Sequence, residues 1–404
     1  MKYIDGSFFI EKVSANKISK KFGTPTYVYS YEKICENISN FKKYFNKIDP
    51  LVCFSVKSNA NLNILKIIKN QNVGADVVSK GEMIAALKTG INPKKIVFSG
   101  VGKTSDEIDY AIKKNILLIN AESEDEVSNI EKIAKKNKRR IGIGIRLNPD
   151  IDAKTINKIS TGKKENKFGV DIKSVNKIIK KFKNSRFLDF SCLSVHIGSQ
   201  ITSHKPYKIM LDIIQECINL CKHNFKFIDL GGGMGIKYNK SDKKLNYKKY
   251  NDLIEKFLIK NKVKIIFEPG RSIIGNTGVL LSKVVYVKKT SKKNFIILDA
   301  AMNDFMRPAL YGANHRLIPS KIIKKKIKKK HEFVGPVCET TDKFSEVLSF
   351  QKIINDDLMI ICDVGAYGIA LSSNYNLRPI PPEILIKGSD MKIIRKRQKI
   401  TDLI

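Results

Sequence analysis

Tryptophan is absent from this chain, histidine occurs only five times, and the seven cysteines are an odd number with no Cys-x-x-Cys pair. Thiols scattered from Cys35 to Cys362 do not make a secreted disulfide framework, and a reducing, cytoplasmic setting is expected. No stretch approaches the ~20 apolar residues of a membrane span, and the N-terminus, MKYIDGSFFIEKV, has no signal-peptide core. A soluble protein without a membrane partner is expected.

Acidic residues are also scarce: 39 Asp and Glu face 75 Lys and Arg, a net charge of +36. Such a balance prompts a search for a nucleic-acid surface. The lysines, however, are spread over almost every helix-like segment together with abundant Ile and Asn, as generic surface filler. Only KIIKKKIKKKHE, 321–332, is dense, and no RNA-module pattern of aromatics accompanies it. No nucleic-acid partner is expected.

What is present is ordinary globular material in quantity: 404 residues, 42% hydrophobic and 28% charged, enough for two domains or a large barrel with an appendage. Between residues 51 and 274 one rhythm repeats. Eight short apolar runs, LVCFSV, GADVVS, KIVFSG, ILLINA, RIGIGIRLN, FSCLSVHIG, KFIDLGGG and KIIFEPG, mostly precede amphipathic text such as NLNILKIIKN or EDEVSNIEKIAKKN. Continuous apolar strands alternating with helices predict a parallel sheet covered on both faces, and eight units predict a closed (β/α)8 barrel. Beyond residue 275 the runs are strand-like, with little helical periodicity. The expected organisation is an α/β barrel over 26–275 with a mostly β domain, a small barrel or sandwich, from 1–25 and 276–404. YIDGSFFI near the start is expected to pair with that domain.

In such barrels the chemistry sits at the C-terminal ends of the strands. Those ends carry Lys57, Asp76, Ser99 with Gly100, Asn120, Arg146 with Asn148, His196 with Ser199, Gly231 to Gly233, and Glu268 with Gly270 and Arg271. Lys57 either begins a loop or, in apolar surroundings that lower its proton affinity, acts as a nucleophilic amine able to form a Schiff base. Three consecutive glycines after a strand are either a tight turn or a place where backbone N–H groups converge on a phosphate. Glu268 and Arg271 are either a surface ion pair or a carboxylate and a guanidinium facing a ligand. His196 has no neighbour at metal-ligand spacing, so no metal is expected. GVGKTSDE, 100–107, has the Gly-Lys-Thr of a nucleotide-binding loop but carries Val97 where that motif needs glycine.

Taken in order, FSVKSN, HIGSQ, DLGGGMGI, EPGRSI, DAAMNDFMRPALYGANH, GPVCETTD and DVGAYG resemble the fold-type III pyridoxal 5'-phosphate decarboxylases over nearly the whole chain. Within that family the resemblance is to the branch that converts meso-2,6-diaminoheptanedioate to L-lysine and CO2. It implies pyridoxal phosphate carried on Lys57, Asp76 beside it, His196 against the ring, and Ser199 with Gly231, Gly232, Gly233 and Gly270 around the phosphate. Glu268 would bond the ring nitrogen. Arg271, Arg307 and Tyr311 would bind substrate carboxylate, Cys338 would donate a proton, Glu339 would meet the substrate's amino end, and Tyr367 would reach cofactor and substrate. A homodimer is implied, with Cys338 and Glu339 entering the other subunit's site. Ser55, Ser58, Asn314 and Thr340 depart from the family's usual residues without removing a reactive group. An ornithine or arginine decarboxylase, a cofactor-binding protein without turnover and an RNA-binding protein are the alternatives.

Overall fold

Apolar runs bounded by polar tips fold here as parallel strands. The computed structural model describes residues 1–151, 165–239, 241–323 and 326–404. Numbered among themselves, the barrel strands are β1 (Leu51–Ser55), β2 (Gly74–Val77), β3 (Ile96–Phe98), β4 (Leu118–Ala121), β5 (Ile141–Arg146), β6 (Leu188–Ser194), β7 (Phe227–Asp229) and β8 (Lys264–Phe267). They form a closed barrel, in which β8 returns to β1 with Ile266 opposite Leu51 and Phe267 opposite Val52. The helices between them start where their sequences say they should. Asn61, Ser79, Thr104, Ser123, Asp171 and Asn246 each accept a first-turn backbone N–H through the side chain.

Strand side chains alternate in direction, so parity decides what fills the barrel. Cys53, Val97, Leu118, Cys192 and Ile266 form one apolar cluster. Two residues on, at the same parity, the same strands carry Ser55, Ser99, Asn120, Ser194 and Glu268, all buried. The interior therefore changes from apolar to polar within one step of the pleat, towards the strands' C-terminal ends. Gly144 on β5 makes room for this layer: a Cβ there would stand 1.9 Å from Asn120 Oδ1.

The barrel belongs to a compact unit of Ile38–Ile236 and Lys243–Ser272; the other unit is Met1–Asn37, Lys237–Asp242 and Ile273–Ile404. This second unit is built on a nine-stranded sheet. Its long strand Gly278–Lys289 pairs with Thr26–Ser30 and Leu358–Ile361 in its first half and with Lys293–Leu298 in its second. Thr26–Ser30 also pairs with Glu383–Lys387. The sheet thus takes up residues that the sequence reading placed in the barrel, because Tyr27 and Tyr29 are needed to bridge two sheet strands. The first residues join the β domain as expected, though as a small sheet of their own. Lys2–Ile4, Ser7–Ile10 and Val13–Ser14 pair with one another, and a bridge from Ser7 to Lys321, the Phe8 N–H to the Ser320 carbonyl at 2.8 Å and the Ile322 N–H to the Gly6 carbonyl at 2.8 Å link them to that domain. A helix, Ala15–Phe22, follows with Ser14 as its cap. Phe8, Ile10 and Ile18 pack in one core with Val279, Leu281 and Ile384. The dense lysine run at 321–332 lies partly outside the described residues.

Candidate active site

β1 gives way to a single 3-10 turn, Val56–Ser58, which carries Lys57 over the barrel mouth. Lys57 Nζ lies 3.2 Å from Asp76 Oδ2, and the Ser55 hydroxyl donates to the same oxygen at 2.6 Å. Asp76 is fully buried, whereas the Lys57 side chain is 37% exposed. Of the two settings open from sequence, apolar surroundings are not what Lys57 has: its side chain is part-exposed and paired. It faces a buried carboxylate, which offsets the cost of taking the ammonium partly out of water.

Two more carboxyls lie in the same layer. Burial, with Asp229 and Asp76 close by, pushes the Glu268 carboxyl well above its ordinary range. Asp229 is raised for the same leading reason, and a side-chain hydrogen bond joins it to Glu268. Asn120 Nδ2 donates to Asp229 Oδ2 at 3.0 Å and to Ser99 Oγ at 3.2 Å, and Ser99 Oγ donates onward to Glu268 Oε1 at 3.4 Å. Burial first, then the charges of Arg146 and Lys57, push His196 well below its ordinary value. Neutral, it accepts the Gly232 N–H at Nδ1, 3.1 Å away.

The glycine run does something other than expected. The Gly231 N–H is taken up by Asp229 Oδ1 at 2.9 Å and the Gly232 N–H by His196, so these two donors are directed inward. What glycine supplies here is space. A Cβ on Gly231 would meet His196 Nδ1 at 2.6 Å, one on Gly232 the Glu268 carbonyl at 2.2 Å, and one on Gly233 the Gly198 carbonyl at 2.5 Å. Gly231 and Gly233 also have φ of +62° and +84°, where a side chain is strained. Gly270 packs in the same way on Ser55 and Ser58. Beside this floor the buried Arg271 donates through Nη2 to Ser199 Oγ at 2.9 Å, a guanidinium and a hydroxyl held together as an anion site requires.

These residues fit pyridoxal phosphate. An amine ends β1 to take an aldehyde. Three buried carboxyls, Asp76, Asp229 and Glu268, share one layer with a single ammonium, and Asp76 Oδ1 has no hydrogen-bond partner, so a protonated ring nitrogen would neutralise a surplus of buried acid. Arg271 and Ser199 stand beside a glycine floor for the phosphate.

Three residues of this rim escaped the sequence reading. Asp229, two positions before the glycines, looked like strand text, though its parity matches Phe227 below it. Glu122 accepts Arg146 Nη1 at 2.9 Å and the Gly169 N–H at 2.9 Å. Glu82 accepts the Val78 N–H at 2.9 Å and is raised by burial to about 7, with Asp76 adding to the shift and Lys57 opposing it.

Arg307, Tyr311, Cys338, Glu339 and Tyr367 all lie in the second unit. Arg307 is buried, with Nη1 2.8 Å from the Tyr238 hydroxyl and 2.9 Å from His315 Nε2. Glu339, exposed, accepts the Tyr375 hydroxyl at 2.7 Å, and Cys338 is an exposed free thiol. Tyr311 and Tyr367 are half-buried, and Tyr367 holds φ at +56°. Among the described residues no group of three potential metal ligands is found, and no helix is long and apolar enough to cross a membrane.

Residues 31–275 match the family model "Pyridoxal-dependent decarboxylase, pyridoxal binding domain". The diaminopimelate decarboxylase of Aquifex aeolicus is 40% identical over 401 residues, which are 98% of this chain and 95% of that protein. The Helicobacter pylori diaminopimelate decarboxylase, solved in complex with L-lysine, superposes with a TM-score of 0.90 at 40% identity, covering 96% of this chain and 98% of that one. The enzyme from M. jannaschii, also solved with L-lysine, gives 0.93 at 35% identity over 99% and 95%. With this likeness over nearly its full length, and with a lysine, a buried acid pair and a glycine floor on one barrel rim, the chain belongs to the diaminopimelate decarboxylases, pyridoxal-phosphate-dependent enzymes of the barrel class.

Proposed function

We propose that this chain removes one α-carboxylate of meso-2,6-diaminoheptanedioate as CO2 and releases L-lysine. The observation that carries the chemistry is the placing of Lys57, the Glu268–Asp229 pair and the Arg271–Ser199 pair around one glycine floor; the full-length relatives support the substrate. When bound, pyridoxal phosphate supplies a ring that accepts the electron pair left at Cα as CO2 departs. Lys57 Nζ would hold the cofactor through its aldehyde, at the rim position that the substrate amine also has to reach. Glu268 would hold a proton at the ring nitrogen, Asp76 steadies Lys57, and neutral His196 would face the ring without adding charge. Arg271, Ser199 and Tyr367 would hold the phosphate, over the floor that Gly231 to Gly233 and Gly270 keep clear of side chains. Cys338 returns a proton to Cα, while Arg307, Tyr311 and Glu339 take the far amino-acid end by its carboxylate and ammonium.

Cys338 and Glu339 are exposed on a single chain, which supports a homodimer in which each enters the other subunit's site. Free cysteines throughout the chain support a reducing, cytoplasmic location. The deciding experiment saturates the purified protein with pyridoxal phosphate and measures CO2 release from meso-diaminopimelate beside ornithine, arginine and lysine. Release from diaminopimelate, with L-lysine as product, is expected; release from ornithine alone would overturn the assignment.

A further inference from the structure

Lys103 belongs to GVGKTSDE, the segment whose Gly-Lys-Thr does not make a nucleotide-binding loop. The structure gives both polar residues other work. Thr104 caps helix Ser105–Lys113 in a reciprocal box with Glu107. Lys103 turns inward: its side chain is 1% exposed, in a chain whose lysines otherwise cover the surface. Its ammonium donates to the Gly100 carbonyl at 2.5 Å, the Asn120 carbonyl at 2.6 Å and Glu126 Oε1 at 2.6 Å, and lies 5.6 Å from the centre of the Phe98 ring. All three N–H directions are used, as a buried ammonium requires.

We infer that Lys103 is a positioning residue for the acid pair, tying the end of β3 to the end of β4 so that Ser99 and Asn120 donate to Glu268 and Asp229. Gly100 and Asn120, the two carbonyls it grips, are adjacent to or part of the residues making those bonds. The tie continues outward. Glu126 Oε2 accepts the Glu122 N–H at 2.9 Å, and Glu122 holds Arg146, whose charge helps keep His196 neutral. One ammonium thus fixes the ends of three consecutive strands. Donors aimed at the acid pair favour its ionised form, so loosening them raises its proton affinity. The groups facing that pair are Asp76 and Lys57 beside it and the thiols of Cys53 and Cys192 below it. Lys103 touches none of these and acts only through Ser99 and Asn120.

This rests on the reading of Glu268 as the ring-nitrogen partner. The test compares holoenzyme carrying Lys103→Met, Lys103→Arg, Glu126→Gln and, as a surface control, Lys80→Met. Each is assayed for kcat and KM against pH and for the pH titration of the bound cofactor's absorbance. Lys103→Met is expected to lower kcat roughly ten- to a hundredfold with KM within about twofold. It should also move the acid limb and the absorbance titration to higher pH by about half a unit or more. Glu126→Gln should move both in the same direction by less, Lys103→Arg should recover part of the loss, and Lys80→Met should match wild type. The inference is overturned if the acid limb and titration stay in place, whatever happens to the melting temperature. Should Lys103→Met fail to fold, Glu126→Gln decides by the same two readings. A wild-type protein that decarboxylates nothing would defeat the proposed function instead, whereas an active wild type with unmoved variants defeats only this inference.

Discussion

Lys57 Nζ and Asp76 Oδ2 stand 3.2 Å apart at the ends of adjacent barrel strands, one side chain reachable from solvent and the other sealed from it. The carboxylate fixes where the amine points. Lys57→Ala should leave the barrel folded, abolish borohydride trapping of the cofactor and reduce turnover by on the order of 10⁴-fold. Retained trapping would show that a different lysine carries it.

Glu268→Gln keeps shape and hydrogen bonding but cannot hold a proton on a ring nitrogen by charge. A fall in kcat of roughly 10²–10³-fold is expected, with the cofactor still trapped on Lys57. Single-turnover CO2 release beside a trapping assay separates the two effects.

At Gly232 even one methyl group is too many, since its Cβ would lie 2.2 Å from the Glu268 carbonyl oxygen. Gly232→Ala should cost about 1–3 kcal/mol by urea unfolding. It should weaken cofactor affinity as well, because β8 must shift to admit the methyl.

Two buried carboxyls each make a contribution to stability that is lost as pH rises. Burial raises Asp304 to about 6 and Glu82 to about 7, so each binds its proton more tightly folded than unfolded. Their favourable contribution is complete near pH 4 and is lost as pH climbs to about 6 for Asp304 and about 7 for Glu82. Asp304→Asn should flatten the decline between pH 4 and 6, a difference of roughly 2–3 kcal/mol in urea-derived stability across that window. An unchanged slope would show that Asp304 is not the group titrating.

The proposed sharing of sites between subunits can be read by mixing. Lys57→Ala and Cys338→Ala chains, each inactive alone, should recover up to about a quarter of wild-type turnover after joint refolding, since half of the dimers carry one intact site. No recovery would place Cys338 in its own chain's site. Cys338→Ala by itself should slow turnover by roughly 10²–10⁴-fold while the cofactor still binds.

The barrel was legible because its strands are continuously apolar, and the rim because polar residues ended those strands. Lys57, Glu268, His196 and Arg271 could all be named from such positions. Asp229, the last residue of β7, was hidden within the run KFIDLGGG, where only the parity shared with Phe227 marks it. Lys103 was hidden by composition: among so many lysines, one that is buried looks like the rest. The pairing of Thr26–Ser30 with Gly278–Lys289 and Glu383–Lys387 joins residues hundreds of positions apart, and no local pattern announces it.

Gly144 and Asn120 face each other across β5 and β4 with no room for a methyl group between them. Neither position can drift alone. An alanine at 144 becomes tolerable only once residue 120 has shortened, and shortening residue 120 removes the donor that Asp229 relies on. The two positions are therefore coupled in space: Gly144→Ala should be tolerated only together with a shorter residue at 120, and that double change takes from Asp229 the Asn120 donor.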